Sequence, residues 1–443
     1  MGSDRDRERL NAAAGGKRCK MAELVLMPAQ SQAPEALPAA PEIPWLASLA
    51  EIRSLLAGLR AQEAQLAAWQ LEIARIPAPP FGETERAHWL AERFRQLGLT
   101  DIHIDDAGNV LGVHRGAGKQ YISVSAHIDT VFPAGTPLNI RQNGSRLYGP
   151  GIADNGAGVT ALLSVASALA GSGIRLSLPI VFIGNVGEEG EGNLRGMRHI
   201  FSHSPWKDAI RCSLVLDGAG SDTIVAEALG SRRFEVIVRG PGGHSWSDFG
   251  TANPILVLAR AIHAFSQTPV PSSPKTTFNV GIIRGGTSVN SIPESASMRV
   301  DIRSTSMREI ERLETSLRHE LGKAVEAESR AHDSRVQAGR RTAGLSCEVV
   351  EIGNRPAGEL DPNARILKII RAVDAYIGNV AQIQRASTDA NVPLSLGREA
   401  IAIGGGGAGG GAHTLQEWFD CNGRELGLKR ILLTVLALAG VTS

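Results

Sequence analysis

The chain has 443 residues, long enough for two hydrophobic cores rather than one. Its 46 basic and 45 acidic residues leave a formal net charge of +1, which gives no electrostatic reason to bind nucleic acid or an anionic membrane surface. The four cysteines, Cys19, Cys212, Cys347 and Cys421, are too scattered for a paired-cysteine zinc site or redox motif, and no apolar run reaches the length of a membrane span.

Residues 1–45 read as a disordered lead-in. The first twenty are polar, with basic Lys17, Arg18 and Lys20. Ala22 to Met27 is too short for a signal peptide and carries Glu23, and Gln30 to Pro44 is rich in Pro, Ala and Gln. A cytoplasmic protein is the expectation, with a secreted form left open. From 46 to 76 apolar residues recur at helical spacing (Leu55, Leu59, Leu66, Trp69, Ile73), predicting a helix or two that Pro77 to Pro80 break. Glu83 to Leu97 is a second helix. Short β-rich runs then alternate with helices: Ile102–Ile104, Ile122–Ala126, helix Gly158–Leu169, Pro179–Asn185 and Leu214–Asp217. Such alternation predicts a doubly wound mixed α/β sheet with helices on both faces.

Near residue 230 the pattern changes. Strand Arg233–Arg239, a helix opened by Asn253-Pro254, strands Thr277–Ile283 and Ala296–Arg303, an amphipathic helix Met307–Ala331 and strand Ser346–Ile352 follow in β-α-β-β-α-β order. That is the ferredoxin-like split motif, predicting an inserted α+β domain over 231–354 in a catalytic domain built from 46–230 and 355–443. Helix Ala364–Tyr376, strand Ala400–Ile403 and helix Arg424–Leu438 resume the first pattern.

Glu188 and Glu189 stand side by side directly after an apolar run. Like charges repel, and a metal cation is the commonest reason to place two acids at the end of a buried strand. His127 and Asp129 follow another strand, Asp154 opens a helix, Asp217 ends a third strand, and His413 follows a glycine-rich loop. Taken singly, each has a plain reading: a core His with its Asp, a solvated turn, a strand-end turn former, a loop His. Taken together at strand ends, where ligands bind in doubly wound sheets, they suggest a two-metal hydrolase. His and carboxylate ligands suit zinc, with manganese or cobalt as alternatives. Asp129, two residues from His127 on an extended segment, shares its face and can orient the imidazole. The glycines 404–407 and 409–411 suggest a backbone that approaches substrate closely before His413.

The runs Ala126-His127-Ile128-Asp129-Thr130-Val131, Gly151-Ile152-Ala153-Asp154-Asn155, Gly187-Glu188-Glu189-Gly190, Leu216-Asp217-Gly218 and Ala412-His413-Thr414 resemble, in order and spacing, the co-catalytic zinc exopeptidases. That family includes glutamate carboxypeptidase, the acetylornithine and succinyl-diaminopimelate deacylases and tripeptide aminopeptidase. Gly192, Leu194, Gly196 and Arg198 give the text a peptidase-T-like character. The resemblance implies that His127 and Asp217 bind one metal, Glu189 and His413 the other, and Asp154 bridges them across a cis peptide to Asn155. It makes Glu188 the general base. It implies a lid and dimerisation domain whose His244, in Gly242-Gly243-His244-Ser245, reaches the neighbouring subunit's site in a homodimer to stabilise the oxyanion. It places Asn290 and Arg303 in substrate binding, Arg303 at a substrate carboxylate. Arg303 could equally pair with Asp301 or Glu294 on its own sheet. Ser387 to Asn391 resembles a loop near the family's active site. The function so implied is hydrolysis of short peptides by an exopeptidase, with N-acyl amino acids as the alternative substrate. A reading of another class is a non-catalytic binding protein on the same fold.

Overall fold

The computed structural model describes residues 40–335 and 344–442. The predicted lead-in therefore lies, up to residue 39, outside the described residues, and a helix already begins at Ile43. The helical region after it is three short helices, Ile43–Ser48, Ala50–Gly58 and Glu63–Ala74, joined by a 3₁₀ turn at Leu59–Gln62.

The principal sheet runs, in spatial order, Thr100–Ile104, Val110–His114, Ile180–Asn185, Tyr121–His127, Ile210–Leu216, Glu399–Ile403, Thr223–Ala228 and Gly358–Glu359, with Gln382–Ala386 pairing alongside Thr223–Ala228. The four strands from Ile180–Asn185 to Glu399–Ile403 are mutually parallel, and the outer strands make the sheet mixed. Parallel strands are buried on both sides, so they read as continuous apolar runs; all six residues of Ile180–Asn185 are buried. One face packs Val181 and Ile183 against Met197 and Ile200 of the helix Arg195–Ser202. The other packs Phe182 against Phe94, from the helix Thr84–Gln96. The helices Gly156–Leu169 and Arg424–Ala439 are also buried along almost their whole length.

Among the strands of the principal sheet that escaped the sequence pattern, the three longest did so for physical reasons. Val110–His114 contains Gly112, where an added Cβ would stand 2.9 Å from the Phe94 ring, so packing rather than strand propensity chose the residue. Thr223–Ala228 follows Ser221 and Asp222, which read as a turn. Gln382–Ala386 lies off the sheet's main path and is largely exposed and polar.

A second sheet is wholly antiparallel, in the order Thr276–Gly285, Ser295–Ser304, Gly230–Arg239, Ser346–Arg355. The helices Pro254–Ser266 and Met307–Arg335 cover one face. Phe234, Val236, Val300 and Ile302 meet Val257, Phe265, Leu313 and Leu317 there. Alternation along the strands sends Arg233, Arg299, Asp301, Arg303 and Arg355 to the opposite face. The last strand runs three residues past its predicted end at Ile352. Its register against Gly230–Arg239 shifts between Arg233 and Phe234, which leaves Ile352 as the extra residue, pairs Gly353 with Arg233 and brings Arg355 opposite Ser231. Among the described residues no helix is long and apolar enough to cross a membrane.

Candidate metal centre

Strand polarity gathers the acids. His127 ends the strand Tyr121–His127, Glu188 and Glu189 follow Ile180–Asn185, and Asp217 follows Ile210–Leu216, all at carboxyl ends. Asp154 precedes the helix Gly156–Leu169, where Asn155 is the N-cap and its side chain accepts from the Gly158 N–H at 3.1 Å. The Asp154–Asn155 peptide is cis.

Asp154 is the hinge of the arrangement. Its Oδ1 lies 3.1 Å from His127 Nε2, and its Oδ2 lies 3.1 Å from His413 Nε2. Asp217 Oδ1 is 3.7 Å from the same His127 nitrogen, and Glu189 Oε1 is 3.1 Å from His413. Two groups of ligand atoms thus form, His127–Asp154–Asp217 and Asp154–Glu189–His413, each within 4.8 Å, sharing one carboxylate. A third, overlapping group joins His127 to Glu188 and Glu189. Two His/carboxylate sets sharing one acid fit a pair of divalent cations, and without positive charge the four adjoining carboxylates would repel one another at short range. His413 holds its place with φ 65°, a left-handed conformation that costs an L-residue about 1–2 kcal/mol.

The charges interlock. Burial disfavours the ionised form of Asp154, but His127 and His413 outweigh it and hold that carboxyl below the usual range. Burial likewise opposes the charge on His127, and the hydrogen bonds it makes to the Asp129, Asp154 and Asp217 carboxylates still raise it well above the ordinary value. His413, hydrogen-bonded to Asp154, rises to about 9. Burial lifts Glu189 to about 7 and raises Glu188 strongly, against the pull of Arg355.

Asp129 does more than orient the ring. Its carboxylate is 3.6 Å from His127 Nδ1, and the nearer partner of that nitrogen is the Asp129 backbone carbonyl at 3.1 Å. The two carboxylate oxygens accept the backbone N–H groups of Glu188 and Glu189 at 3.0 and 2.8 Å, so Asp129 ties the Glu–Glu turn to the His127 strand. The glycine-rich loop packs differently from the expectation. An added Cβ at Gly404 would meet the Ala219 carbonyl at 2.4 Å, and one at Gly405 the Ala157 carbonyl at 2.7 Å. These glycines let the loop lie against neighbouring protein backbone rather than against substrate.

A cavity of about 620 Å³ opens over the cluster, with Asp154, Glu188, Glu189, Asp217 and His413 on one side and Arg233, Arg303 and Arg355 on the other. Arg303 lines it while its Nε donates to Asp301 at 2.6 Å, so the pairing and the cleft position coexist. His244 and Asn290 do not line this cavity. They sit on the small exposed ladder Gly243–His244 with Ser291–Ile292, where the Ser245 N–H donates to the Asn290 carbonyl at 3.0 Å.

Sequence reasoning missed three residues at the centre. Arg355 donates to Glu188 Oε1 at 2.8 Å, to the Glu188 carbonyl and to Ser387 Oγ at 3.2 Å. Glu417, fully buried, accepts three backbone N–H groups, from Gly151 at 2.8 Å, Ala153 at 2.7 Å and Asp154 at 2.8 Å, and so fixes the loop that presents Asp154. Asp389, inside the run Ser387 to Asn391, accepts from Asn185 Nδ2 at 2.6 Å, and burial lifts it to about 7. Asp389 lay in a run whose resemblance pointed to the site without assigning a role, and Glu417 stands four residues after His413; Arg355 carried no signal, being separated from the cluster by the whole second sheet.

The chain matches the family described as Peptidase family M20/M25/M40 over residues 124–437. It is 31% identical over 204 residues to the "Probable carboxypeptidase" of Aspergillus clavatus, covering 41% of this chain and 44% of that protein. It is 25% identical over 229 residues to carboxypeptidase G2 of Pseudomonas sp. (strain RS-16), covering 50% and 55%. The chain thus spans about half the length of the curated relatives it matches. Among solved structures it resembles a tripeptidase from Staphylococcus aureus, with TM-score 0.67 and 21% identity over 85% of this chain and 98% of that one, a likeness of fold. With well over half its length matched, and with the His and carboxylate residues of that stretch gathered at the sheet's carboxyl edge, the chain belongs to peptidase family M20/M25/M40.

Proposed function

We propose that the protein is a two-metal exopeptidase that cleaves the amide bond of short peptides and recognises their terminal carboxylate. The observation that carries this reading is Asp154, with one oxygen 3.1 Å from each of two histidines that belong to separate ligand sets. His127 and Asp217 would hold one divalent ion and Glu189 and His413 the other, with Asp154 available to both sets, and zinc best suits these donors. Such ions supply Lewis acidity toward a carbonyl and make water acidic near neutral pH. The chain's own residues do the rest. Glu188, made basic by burial, takes a proton from the attacking water and delivers it to the leaving amine. Arg303 binds the carboxylate with its fork, and Asn290, beside the His244 ladder and outside this cavity, would meet substrate in the site of a second copy. The test is a panel of di- and tripeptides and N-acyl amino acids, assayed with the protein loaded with zinc, manganese or cobalt. Hydrolysis of peptides with free carboxyl ends, abolished by a chelator, is expected; cleavage of N-acyl amino acids alone would make the protein a deacylase, and no turnover with any metal would leave the binding-protein reading.

His244 serves the site of a second copy in a homodimer. Its Nδ1 accepts the Trp246 N–H at 3.1 Å, so a neutral ring carries its proton on Nε2, ready to donate to an oxyanion. Around it stand Trp246, Phe249 and Val289, 88%, 77% and 103% exposed, a face that calls for cover. Mixing His244→Ala with Glu188→Gln subunits should restore partial activity, because one site of the mixed dimer then has both a good His and a good base. A sedimenting monomer with full activity would remove His244 from this role.

A further inference from the structure

The helix Met307–Arg335 buries Leu313, Leu317, Leu321 and Ala324 at spacings of three and four, as an amphipathic helix should. Carried on for two more turns, the same stripe presents Glu328 and His332, and both are buried as well. An acid on the apolar face of a helix loses hydration that partners must replace. Glu328 Oε1 accepts the Asn253 N–H at 3.3 Å and lies 3.9 Å from Arg335, and its Oε2 lies 3.5 Å from Arg260. Both arginines are half-exposed and can be satisfied by water, so they do not account for the buried acid.

One turn on, His332 Nδ1 donates to the Gly250 carbonyl at 3.1 Å. A carbonyl only accepts, so this bond sets the proton of the neutral ring on Nδ1. Gly250 has φ 98°, and a Cβ there would stand 2.8 Å from Arg335 Cβ, so the chain passes close against the end of the helix. Asn253 caps the helix Pro254–Ser266, and an acid beside that N-terminus is a plain helix-dipole contact. Such a contact leaves the hold on Gly250 unexplained.

Gly250 and Asn253 are the base of the loop that carries His244. The Thr251 N–H donates to the Asp248 carbonyl at 3.0 Å, and Asp248 Oδ2 accepts the His244 N–H at 2.7 Å. Every residue from Pro241 to Phe249 is exposed or half-buried, so apolar packing does little to fix this stretch. Its first limb is tied to Ser291–Ile292 by the short ladder, and its second limb by Glu328 and His332.

We propose that Glu328 and His332 are positioning residues for His244, clamping the base of its loop so that the imidazole is presented to the site of a second copy. This rests on the reading of His244 as an oxyanion donor that acts across a homodimer. The two side chains touch neither substrate nor metal ligand; they act through Gly250, Asn253 and Asp248.

The experiment uses Glu328→Ala, His332→Ala and the conservative Glu328→Gln, whose amide oxygen still accepts the Asn253 N–H. In the zinc-loaded protein each alanine variant should lower kcat about tenfold to a hundredfold with KM and metal content little changed, because small displacements of an oriented group cost that much. Glu328→Gln should keep most of the activity. Mixing subunits separates faulty presentation of His244 from a general defect. Mixed with Glu188→Gln, either alanine variant should regain activity, because its intact base then meets an intact His244 loop. Mixed with His244→Ala it should regain none, because both sites then face a faulty loop. Rescue by His244→Ala, or no rescue by Glu188→Gln where His244→Ala is itself rescued, overturns the proposal. Hydrogen–deuterium exchange of peptides covering residues 244–253 needs neither turnover nor a dimer. It should speed up about tenfold in both alanine variants while Ser295–Ser304 keeps its protection; unchanged exchange in the loop overturns the clamp. Should Glu328→Ala lose protection throughout the second sheet, His332→Ala, which removes a contact at the helix end, decides alone. If His244→Ala is fully active, or is not rescued by Glu188→Gln, while loop exchange still rises in the alanine variants, the clamp stands and the reading of His244 falls.

Discussion

Glu188→Gln is expected to lower turnover roughly a thousandfold while both metal equivalents stay bound, since a positioned base contributes about 10²–10⁴ in rate. The amide keeps the side chain's shape and can still accept the Arg355 hydrogen bond, now 2.8 Å long, but it cannot take a proton from water. Neutralising one member of this buried pair leaves Arg355 without a counter-charge, so a lower melting temperature should accompany the kinetic loss. Assay below that temperature with elemental analysis separates the two effects. A variant with metal bound and more than a small fraction of wild-type rate would show that another group is the base.

Asp154→Ala is expected to remove both ions together. Each ligand set would keep only two protein ligands, His127 with Asp217 on one side and Glu189 with His413 on the other. Loss of a residue that serves one ion alone, such as Asp217, should instead release one equivalent first. Retention of one full equivalent by Asp154→Ala, measured on the purified protein, would end the bridging assignment.

What could be read from the sequence was whatever lies within a few residues of its own strand end. His127, Glu188, Glu189 and Asp217 each follow an apolar run directly, and the α/β alternation that brings them to one edge is itself a periodic signal. The residues that hold them in place are of another kind. Asp129 was legible as a partner of His127, but its grip on two N–H groups of the Glu–Glu turn depends on strands 59 and 60 residues apart in sequence meeting in register. Glu417 acts on a loop more than 260 positions earlier. Arg355 was hidden by Gly353-Asn354, which reads as the end of a strand but continues it past a register shift at Ile352. Arg233 looked like one more alternating polar residue; only the cross-strand pairing with Asp301 gives it a neighbour in Arg303.

The second sheet leaves the main one and returns to it at almost the same point. Ala228 and Gly358 are paired on adjacent strands, and an added Cβ at Gly230 would stand 2.8 Å from the Ala357 nitrogen. A detour whose ends already touch asks little of the frame it departs from. His127, Asp154, Glu188, Glu189, Asp217 and His413 all belong to the frame, and Arg233, Arg303 and Arg355 to the detour. Arg355 is the exception to this division, since it belongs to the detour and yet donates to Glu188 in the frame at 2.8 Å. The cavity thus takes its acids and His413 from the frame and its cationic lining from the detour, joined at the Arg355–Glu188 pair.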